Sequence, residues 1–218
     1  MKLKATIFLS MLLLYSCGKC DKDVLLGEIQ LAEASRQSIP YSGTEILVFE
    51  DNHGVQHRLT SMKGRELLQS KMIVRTPCDE GFFDKQHLYY DTQREQIAFF
   101  DSSGIQIFYI DLVTQFEDAA DLDDIAVYDF LLVDSSLKGN FNGRIEIITS
   151  ERQNRVSDFH KNQFWNQSVA LGDTTLFGRK FEDVYIGTSG DNRSIFYNKK
   201  KGILAFVLDE NEFWVLTE

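Results

Sequence analysis

The segment that decides the fold is Asp101-Ser102-Ser103-Gly104, followed at once by Ile105-Gln106-Ile107-Phe108-Tyr109-Ile110. Asp and Ser bond their own backbone in tight turns, and Gly adopts a positive φ without steric cost. The six residues after the turn are rich in β-branched and aromatic side chains, and both of their alternating faces are largely apolar. The pattern predicts a turn followed by a short strand that is covered by protein on both sides.

The same succession of turns and strands recurs along the chain. Segments 45–49 and 56–60 flank the turn at Asp51-Asn52-His53-Gly54 and predict a hairpin. Segments 125–133 and 203–208 are apolar on both faces, whereas 143–149 carries Arg144 and Glu146 on one face, as an outer strand does. We therefore predict an all-β fold of antiparallel sheets, sandwich-like or strongly curved, with few short helices.

Three segments compete as helices because each places some apolar residues at helical spacing: 24–38, 65–72 and 156–167. The periodicity of each segment is weak, and 28–32 also alternates as a strand does. With so little helix, an α/β fold is not expected.

The bulk composition bounds the class of protein. A chain of 218 residues forms one large domain or two small ones. It buries enough surface on folding to be stable without a disulfide or a structural metal. Its formal net charge of -10 repels nucleic-acid phosphates, so we expect no nucleic-acid partner.

The N-terminus has the features of an export signal. Lys2 and Lys4 precede the apolar stretch 5–15, which is shorter than the roughly 20 residues that a membrane-spanning helix needs. Leu14-Tyr15-Ser16-Cys17 then resembles the lipobox of bacterial lipoproteins. The resemblance implies cleavage before Cys17 and a diacylglycerol on its sulfur. The alternative is an ordinary cleaved signal with a chance cysteine.

The lipobox sets the expected organisation. We predict a signal peptide over 1–16, a tether over 17–26 and a single β-rich domain over 27–218. The lipid bilayer becomes a partner through acylated Cys17, because two or three acyl chains hold a protein persistently. The expected location is the outer membrane, on its periplasmic or cell-surface face. The charged segment 18–23 resembles the surface-export signals of Bacteroidota-type lipoproteins, and a solvated linker explains it equally well.

The cysteines allow one further prediction. If lipid consumes Cys17, Cys20 and Cys78 remain as a candidate disulfide in an oxidising compartment. The alternative is two free thiols. Metal binding by the pair is not expected, because no nearby histidine has ligand spacing.

Two stretches together carry a family resemblance. The first is 27–60, and the second is the C-terminal pattern Val184-Tyr185, 195–198, Gly202-Ile203 and Trp214-Val215-Leu216. They resemble a loose group of small, uncharacterised lipoproteins from Bacteroidota-type bacteria. The resemblance implies an all-β envelope protein with no known activity and no catalytic residue to transfer.

The C-terminal pattern also has a physical interpretation. Gly202 lies where a hairpin requires positive φ, and four aromatic residues are expected as cross-strand neighbours in a closing β-meander: Tyr185, Phe196, Phe206 and Trp214. An aromatic ligand platform is the alternative.

Candidate chemical sites are few. Carboxylates over 117–124 are dense enough to bind Ca²⁺, although a solvated loop explains them more simply. His53 and His57 flank the first turn, but two imidazoles do not make a zinc site. We predict no metal and no cofactor. Asp173-Thr174-Thr175 resembles the O-glycosylation site of exported Bacteroidota-type proteins, which makes Thr174 a candidate for modification.

Catalytic motifs are missing from the sequence: there is no Gly-x-Ser-x-Gly elbow, phosphate loop or His-Glu-x-x-His. We therefore predict a non-enzymatic envelope lipoprotein that binds a protein or an envelope component. The first alternative is a carrier of lipid or another apolar ligand in a curved sheet. The second is a hydrolytic enzyme.

Overall fold

A computed structural model describes residues 20–79, 85–116, 127–137, 140–151, 168–189, 193–209 and 211–217. Within these ranges the chain is almost entirely antiparallel β structure with one short helix, so the predicted all-β fold class is confirmed. The elements are β1 (Val24–Ile29), α1 (Glu33–Arg36), β2 (Ile46–Asp51), β3 (Gln56–Ser61), β4 (Glu66–Asp79), β5 (Lys85–Phe100), β6 (Gln106–Phe116), β7 (Val127–Leu137), β8 (Asn140–Glu151), β9 (Val169–Leu176), β10 (Arg179–Thr188), β11 (Ser194–Asn198), β12 (Gly202–Asp209) and β13 (Glu212–Leu216).

The chain divides into two compact units. The small unit comprises Met1–Gly27 and Ile73–Tyr90, and the large unit comprises Glu28–Met72 and Asp91–Glu218. Strand β1 crosses the boundary at residue 26 that the sequence suggested between tether and domain. The division into signal, tether and domain otherwise stays a prediction.

The principal path of the sheet has the strand order β8-β7-β6-β5-β3-β2-β13-β12-β11-β10-β9, while β1 and β4 pair with β5 off this path. The predicted hairpin is confirmed, since β2 and β3 pair with Ile46 opposite Thr60. The last strand, β13, returns to β2 with Trp214 opposite Asp51. The outer-strand prediction for 143–149 is also confirmed, because β8 ends the path.

Two glycines let the sheet of the large unit curl on itself. A Cβ on Gly187 in β10 would lie 2.0 Å from the carbonyl oxygen of Arg144 in β8. A Cβ on Gly143 would lie 2.9 Å from the carbonyl oxygen of Gly187. Strands β8 and β10 therefore cross in backbone contact, which only residues without a side chain permit.

The curled sheet encloses the main core of the large unit. Its fully buried members include Phe49, Leu59, Phe99, Phe108, Ile110, Tyr197 and Phe206. A second cluster, which includes Val184, Leu204 and Val215, packs on the other face of the C-terminal strands. Strand β12 is thus buried on both faces, as the apolar run at 203–208 predicted.

Both Asp-rich turns form by the same local chemistry. In each, one Oδ1 accepts two backbone N–H groups: Asp51 from His53 and Val55, and Asp101 from Ser103 and Ile105. Gly54 and Gly104 follow with φ of 78° and 77°. These contacts lie within five residues, so the sequence alone identifies the turns.

The helix predictions were mostly wrong. Of segment 65–72, residues 66–72 belong to strand β4, because pairing with β5 outweighs the weak helical spacing. In 24–38 the structure has strand β1 and only the four-residue helix α1. Segment 156–167 lies outside the described residues.

The aromatic prediction holds only in part. Phe206 and Trp214 are cross-strand partners with centroids 6.5 Å apart. Tyr185 lies opposite Tyr197, and Phe196 packs in the second cluster on the other face of the sheet.

Candidate functional site

A row of charged side chains crosses one face of strands β5 to β8. Side chains alternate between faces, so Arg94 on β5, Asp111 on β6, Asp134 on β7 and Arg144 on β8 all lie opposite the core face. The apolar residues next to them in sequence, such as Ile110, Leu112 and Ile145, point to the core on the opposite face. We call this row the polar face.

The polar face begins with a bidentate ion pair between β5 and β6. Arg94 donates from Nε to Asp111 Oδ1 at 2.7 Å and from Nη2 to Oδ2 at 2.5 Å, and Nη2 also donates to Tyr109 Oη at 3.1 Å. Asp111 is only 4% exposed, and this burial raises the pKa of its carboxyl against the opposing effect of Arg94. Burial likewise raises the pKa of Tyr109 to about 12. The pair is rigid because two parallel bonds fix both planes.

A second pair continues the row on β7 and β8. Arg144 donates from Nε to Asp134 Oδ1 at 2.6 Å and from Nη2 to Oδ2 at 2.9 Å, while Nη1 lies 3.8 Å from Glu146. Desolvation raises the pKa of Glu146, and Arg144 opposes the shift. The polar face therefore has an arginine on each outer strand, β5 and β8, and an aspartate on each inner strand, β6 and β7.

A cleft of about 470 Å³ opens beside the Arg94–Asp111 pair. It is lined by residues of four strands: Ser70, Lys71, Met72, Thr92, Gln93, Arg94, Asp111, Val113, Thr114, Gln115, Phe116 and Leu132. All of these belong to the large unit. The lining combines apolar side chains with hydroxyl, amide and charged groups, as ligand sites do.

The cleft lies where the pairing of β5 with β6 ends. Within the described residues, their antiparallel pairing runs from Phe100 opposite Gln106 to Arg94 opposite Val113 and then stops. Beyond that pair, β6 continues to Phe116 along β7, and β5 runs back to Lys85. Thr92 and Gln93 of β5 and residues 114–116 of β6 line the cleft between these two strands.

The two aspartates of the polar face already accept hydrogen bonds from arginines, which limits the chemistry that they can perform. Both oxygens of Asp111 accept from Arg94, and both oxygens of Asp134 accept from Arg144. A general base needs an oxygen that is available to a substrate proton. Among the described residues, no group of three or more His, Cys, Asp or Glu side chains is arranged to hold a metal ion.

The structure joins the two cysteines that the sequence left after lipidation. Cys20 and Cys78 form a disulfide with a Cα–Cα distance of 5.7 Å, inside the small unit. Cys17 itself, with the signal peptide, lies outside the described residues, so its acylation stays a prediction. The acidic run 117–124 also lies outside them.

Thr174 lies on β9, which ends the strand order. It is half-buried opposite Phe181, and its neighbours Asp173 and Thr175 are exposed. Its glycosylation stays a prediction.

The structure links His57 and His53 through one aspartate. His57 Nε2 lies 3.0 Å from Asp51 Oδ2, while the backbone N–H of His53 donates to Asp51 Oδ1. The His57 ring stacks on Trp214 with centroids 3.7 Å apart. Asp51 thereby secures the turn, and the histidines form a structural rather than a metal-binding feature.

Sequence reasoning missed two buried carboxylates. Glu95, whose side chain is 1% exposed, accepts from Nε of Arg36 at 2.5 Å and from Nε of Arg65 at 2.6 Å. Asp129 is fully buried and accepts from Thr114 Oγ1 at 3.0 Å and from the N–H of Ala32 at 2.8 Å. The available signal was an acidic residue inside an apolar alternation, which marks a buried and paired carboxylate.

No known protein family, curated protein or solved structure matches this chain. In the part of the chain that the structure describes, no helix is both long and apolar enough to cross a bilayer. The function must therefore be argued from the site itself.

Proposed function

We propose that this chain is an outer-envelope lipoprotein, anchored through acylated Cys17, whose β domain binds a partner protein in the cleft between β5 and β6. The observation that carries the binding half is the cleft of about 470 Å³ beside the Arg94–Asp111 pair, where the pairing of β5 with β6 ends. The lipobox at 14–17 and the apolar stretch before it support the anchor.

The mixed lining of the cleft favours a polypeptide segment as the ligand. A protein surface offers apolar side chains together with polar and charged groups, which match the kinds of group that line this cleft. Val113, Leu132 and Met72 give apolar contacts for alternate side chains of such a segment. Lys71 and the Arg94–Asp111 pair add charges that select its sequence.

The carrier alternative has less support. An apolar ligand inside the curled sheet would need the volume that Phe49, Phe108 and Phe206 occupy with no exposed surface. Removing such side chains from a packed core is costly. The cleft is instead open and partly charged, which suits a polar chain better than an acyl chain.

The anchor is tested by intact-mass measurement of the protein purified from the bacterial membrane. We expect a chain that begins at Cys17 and carries the mass of two or three acyl groups. An unmodified Cys17, or a chain that retains 1–16, refutes the anchor.

The cleft is tested by photocrosslinking in cells. A photoreactive amino acid replaces Gln115 in the lipoprotein, and a control protein carries it at exposed Lys180. We expect a discrete protein adduct from position 115 only.

Two matched substitutions decide whether the adduct reports the cleft. Val113→Arg fills the cleft and is expected to abolish the adduct, whereas Val55→Arg, at a valine 52% exposed in a turn, leaves it unchanged. An adduct that survives Val113→Arg refutes the cleft as the binding site. Circular dichroism shows whether each variant remains folded.

A further inference from the structure

The small unit exposes apolar side chains where a soluble strand normally shows polar ones. In β1, Val24, Leu25 and Leu26 are 41%, 48% and 37% exposed, and Ile73 of β4 is 46% exposed. Successive side chains of a strand point to opposite faces, so β1 presents apolar groups on both sides. Single exposed apolar residues are ordinary, but three in succession call for a partner surface.

The chain length fixes how far these residues can lie from the acylated cysteine. Three Cα-to-Cα steps separate Cys17 from Cys20, and a chain spans at most about 11 Å over them. The disulfide holds Cys78 5.7 Å from Cys20, Cα to Cα. Since Val24 follows Cys20 by four residues, an anchor at Cys17 places this strand within reach of the bilayer surface.

Local contacts tie these residues into one body. The backbone N–H of His87 donates to Asp23 Oδ1 at 2.9 Å, and Gln86 donates to the carbonyl of Lys22 at 3.2 Å. The ring of Tyr90 lies 3.5 Å from the position of a Cβ on Gly27. Together with the disulfide, these contacts fasten β1 to β5 inside the small unit.

The charge of the small unit differs from that of the whole chain. After the predicted cleavage before Cys17, its sequence over 17–27 and 73–90 has four cations and five anions, a net charge of -1, whereas the whole chain carries -10. A nearly neutral surface with exposed aliphatic side chains is repelled only weakly by anionic headgroups. Tyr89 and Tyr90, both half-buried, are of the type that favours the headgroup region.

We propose that the start of β1 dips into the interfacial region of the bilayer that holds the acyl chains of Cys17, so that Val24, Leu25 and Leu26, on the two faces of the strand, form a second membrane contact together with Ile73. The occupant of this apolar surface is the lipid itself. This inference rests on the anchor in the proposed function. The acyl chains attach the protein, and the apolar contact holds the small unit against the surface.

The test uses the full lipoprotein reconstituted in phosphatidylcholine–phosphatidylglycerol vesicles that contain a diazirine lipid. After photolysis, mass spectrometry of peptides locates the lipid adducts. We expect adducts at 24–26 and at Ile73. Val169 and Leu171, 62% and 41% exposed on β9, are the internal controls and should remain unlabelled. Equal labelling of the β1 and β9 sites, or none at either, overturns the membrane contact.

A second measurement removes the anchor. Residues 17–218 with Cys17→Ser are sedimented with the same vesicles, alone and with Leu25→Asn. We expect Leu25→Asn to weaken binding by about tenfold, as loss of a buried aliphatic side chain does, and Leu171→Asn to leave it unchanged. Self-association that Leu25→Asn abolishes would instead show that a second copy covers the patch, and would overturn the proposal.

The intact mass separates this failure from that of the proposed function. An unmodified Cys17 refutes the anchor. An acylated Cys17 without lipid adducts at 24–26 refutes only the second contact.

Discussion

The hydroxyl of Tyr41 lies directly over Gly202, where it accepts the backbone N–H of Ile203 at 2.7 Å. A Cβ on Gly202 would come within 1.8 Å of that oxygen. Burial raises the pKa of Tyr41 well above its usual value, so the hydroxyl keeps its proton. Tyr41 is adjacent to the first strand hairpin and Gly202 begins β12, so the contact fastens the two ends of the large unit together.

We expect Gly202→Ala to destabilise the protein by about 3 kcal/mol, because it combines a clash with a backbone φ of 83°. The free energy of unfolding is measured by urea denaturation. Gly54→Ala is the matched control, since Gly54 has a φ of 78° but no atom within 4 Å of its Cβ position. It should cost only about 1 kcal/mol of backbone strain. Equal losses from the two substitutions would show that the Tyr41 contact contributes nothing.

Replacing Glu95 by Ala should destabilise the protein by about 3 kcal/mol, because Arg36 and Arg65 lose a shared, buried partner. Both arginines are partly exposed, which lets water relieve some of the cost. Asp79→Ala is the control, since it breaks an exposed pair with Lys85 and should cost less than about 1 kcal/mol. Urea denaturation again measures both, and a loss at Glu95 no larger than at Asp79 would contradict the interpretation.

Asp51 makes part of the stability dependent on pH. A hydrogen bond from His57, together with the N–H groups of Val55 and His53, lowers the pKa of Asp51 from 3.8 to about 2. Because the folded pKa is the lower one, ionised Asp51 stabilises the fold above pH 3.8, and this contribution disappears as the pH falls to about 2.

We expect the melting temperature of the natural protein to fall more steeply than that of Asp51→Asn as the pH drops from 5 to 2. Scanning calorimetry over this range gives the comparison. Asp101→Asn, in the matching turn without a histidine, controls for loss of the turn hydrogen bonds. Parallel curves for the natural protein and Asp51→Asn would refute the role of the histidine pair.

The disulfide should protect the small unit. Cys20 and Cys78 are separated by 58 residues, and closing a loop of that length restricts the unfolded chain by about 4 kcal/mol in the entropic account. We expect the double variant Cys20→Ser, Cys78→Ser to be cleaved by trypsin at Lys22 and Arg75 much faster than the natural protein. Reductant should accelerate cleavage of the natural protein and leave the double variant unchanged. Equal rates would show that the strand contacts suffice.

The turns were predictable because their chemistry is local. In Asp51–Gly54 and Asp101–Gly104 a carboxylate bonds to N–H groups two and four residues ahead, and a glycine follows with positive φ. The run at 203–208 predicted a strand buried on both sides for the same reason. Successive side chains of a strand point to opposite faces, so the segment itself shows that both faces are apolar.

The candidate site was not predictable from the same kind of pattern. The cleft depends on where the pairing of β5 and β6 stops, and the polar face depends on the register of four strands. A shift of one residue in any of them would move Asp111 or Arg144 to the core face. Sequence alone does not fix that register.

The sequence by itself determined the strand-and-turn character of the fold. The export signal and the lipid site at Cys17 stay predictions from the sequence. Only the tertiary structure decided that Cys20 meets Cys78, that residues 66–72 form a strand, and that Glu95 lies between Arg36 and Arg65. The disulfide and the two contacts of Glu95 join residues 58, 59 and 30 positions apart. Contacts at such separations follow from the packing of the whole sheet, which no local window of sequence contains.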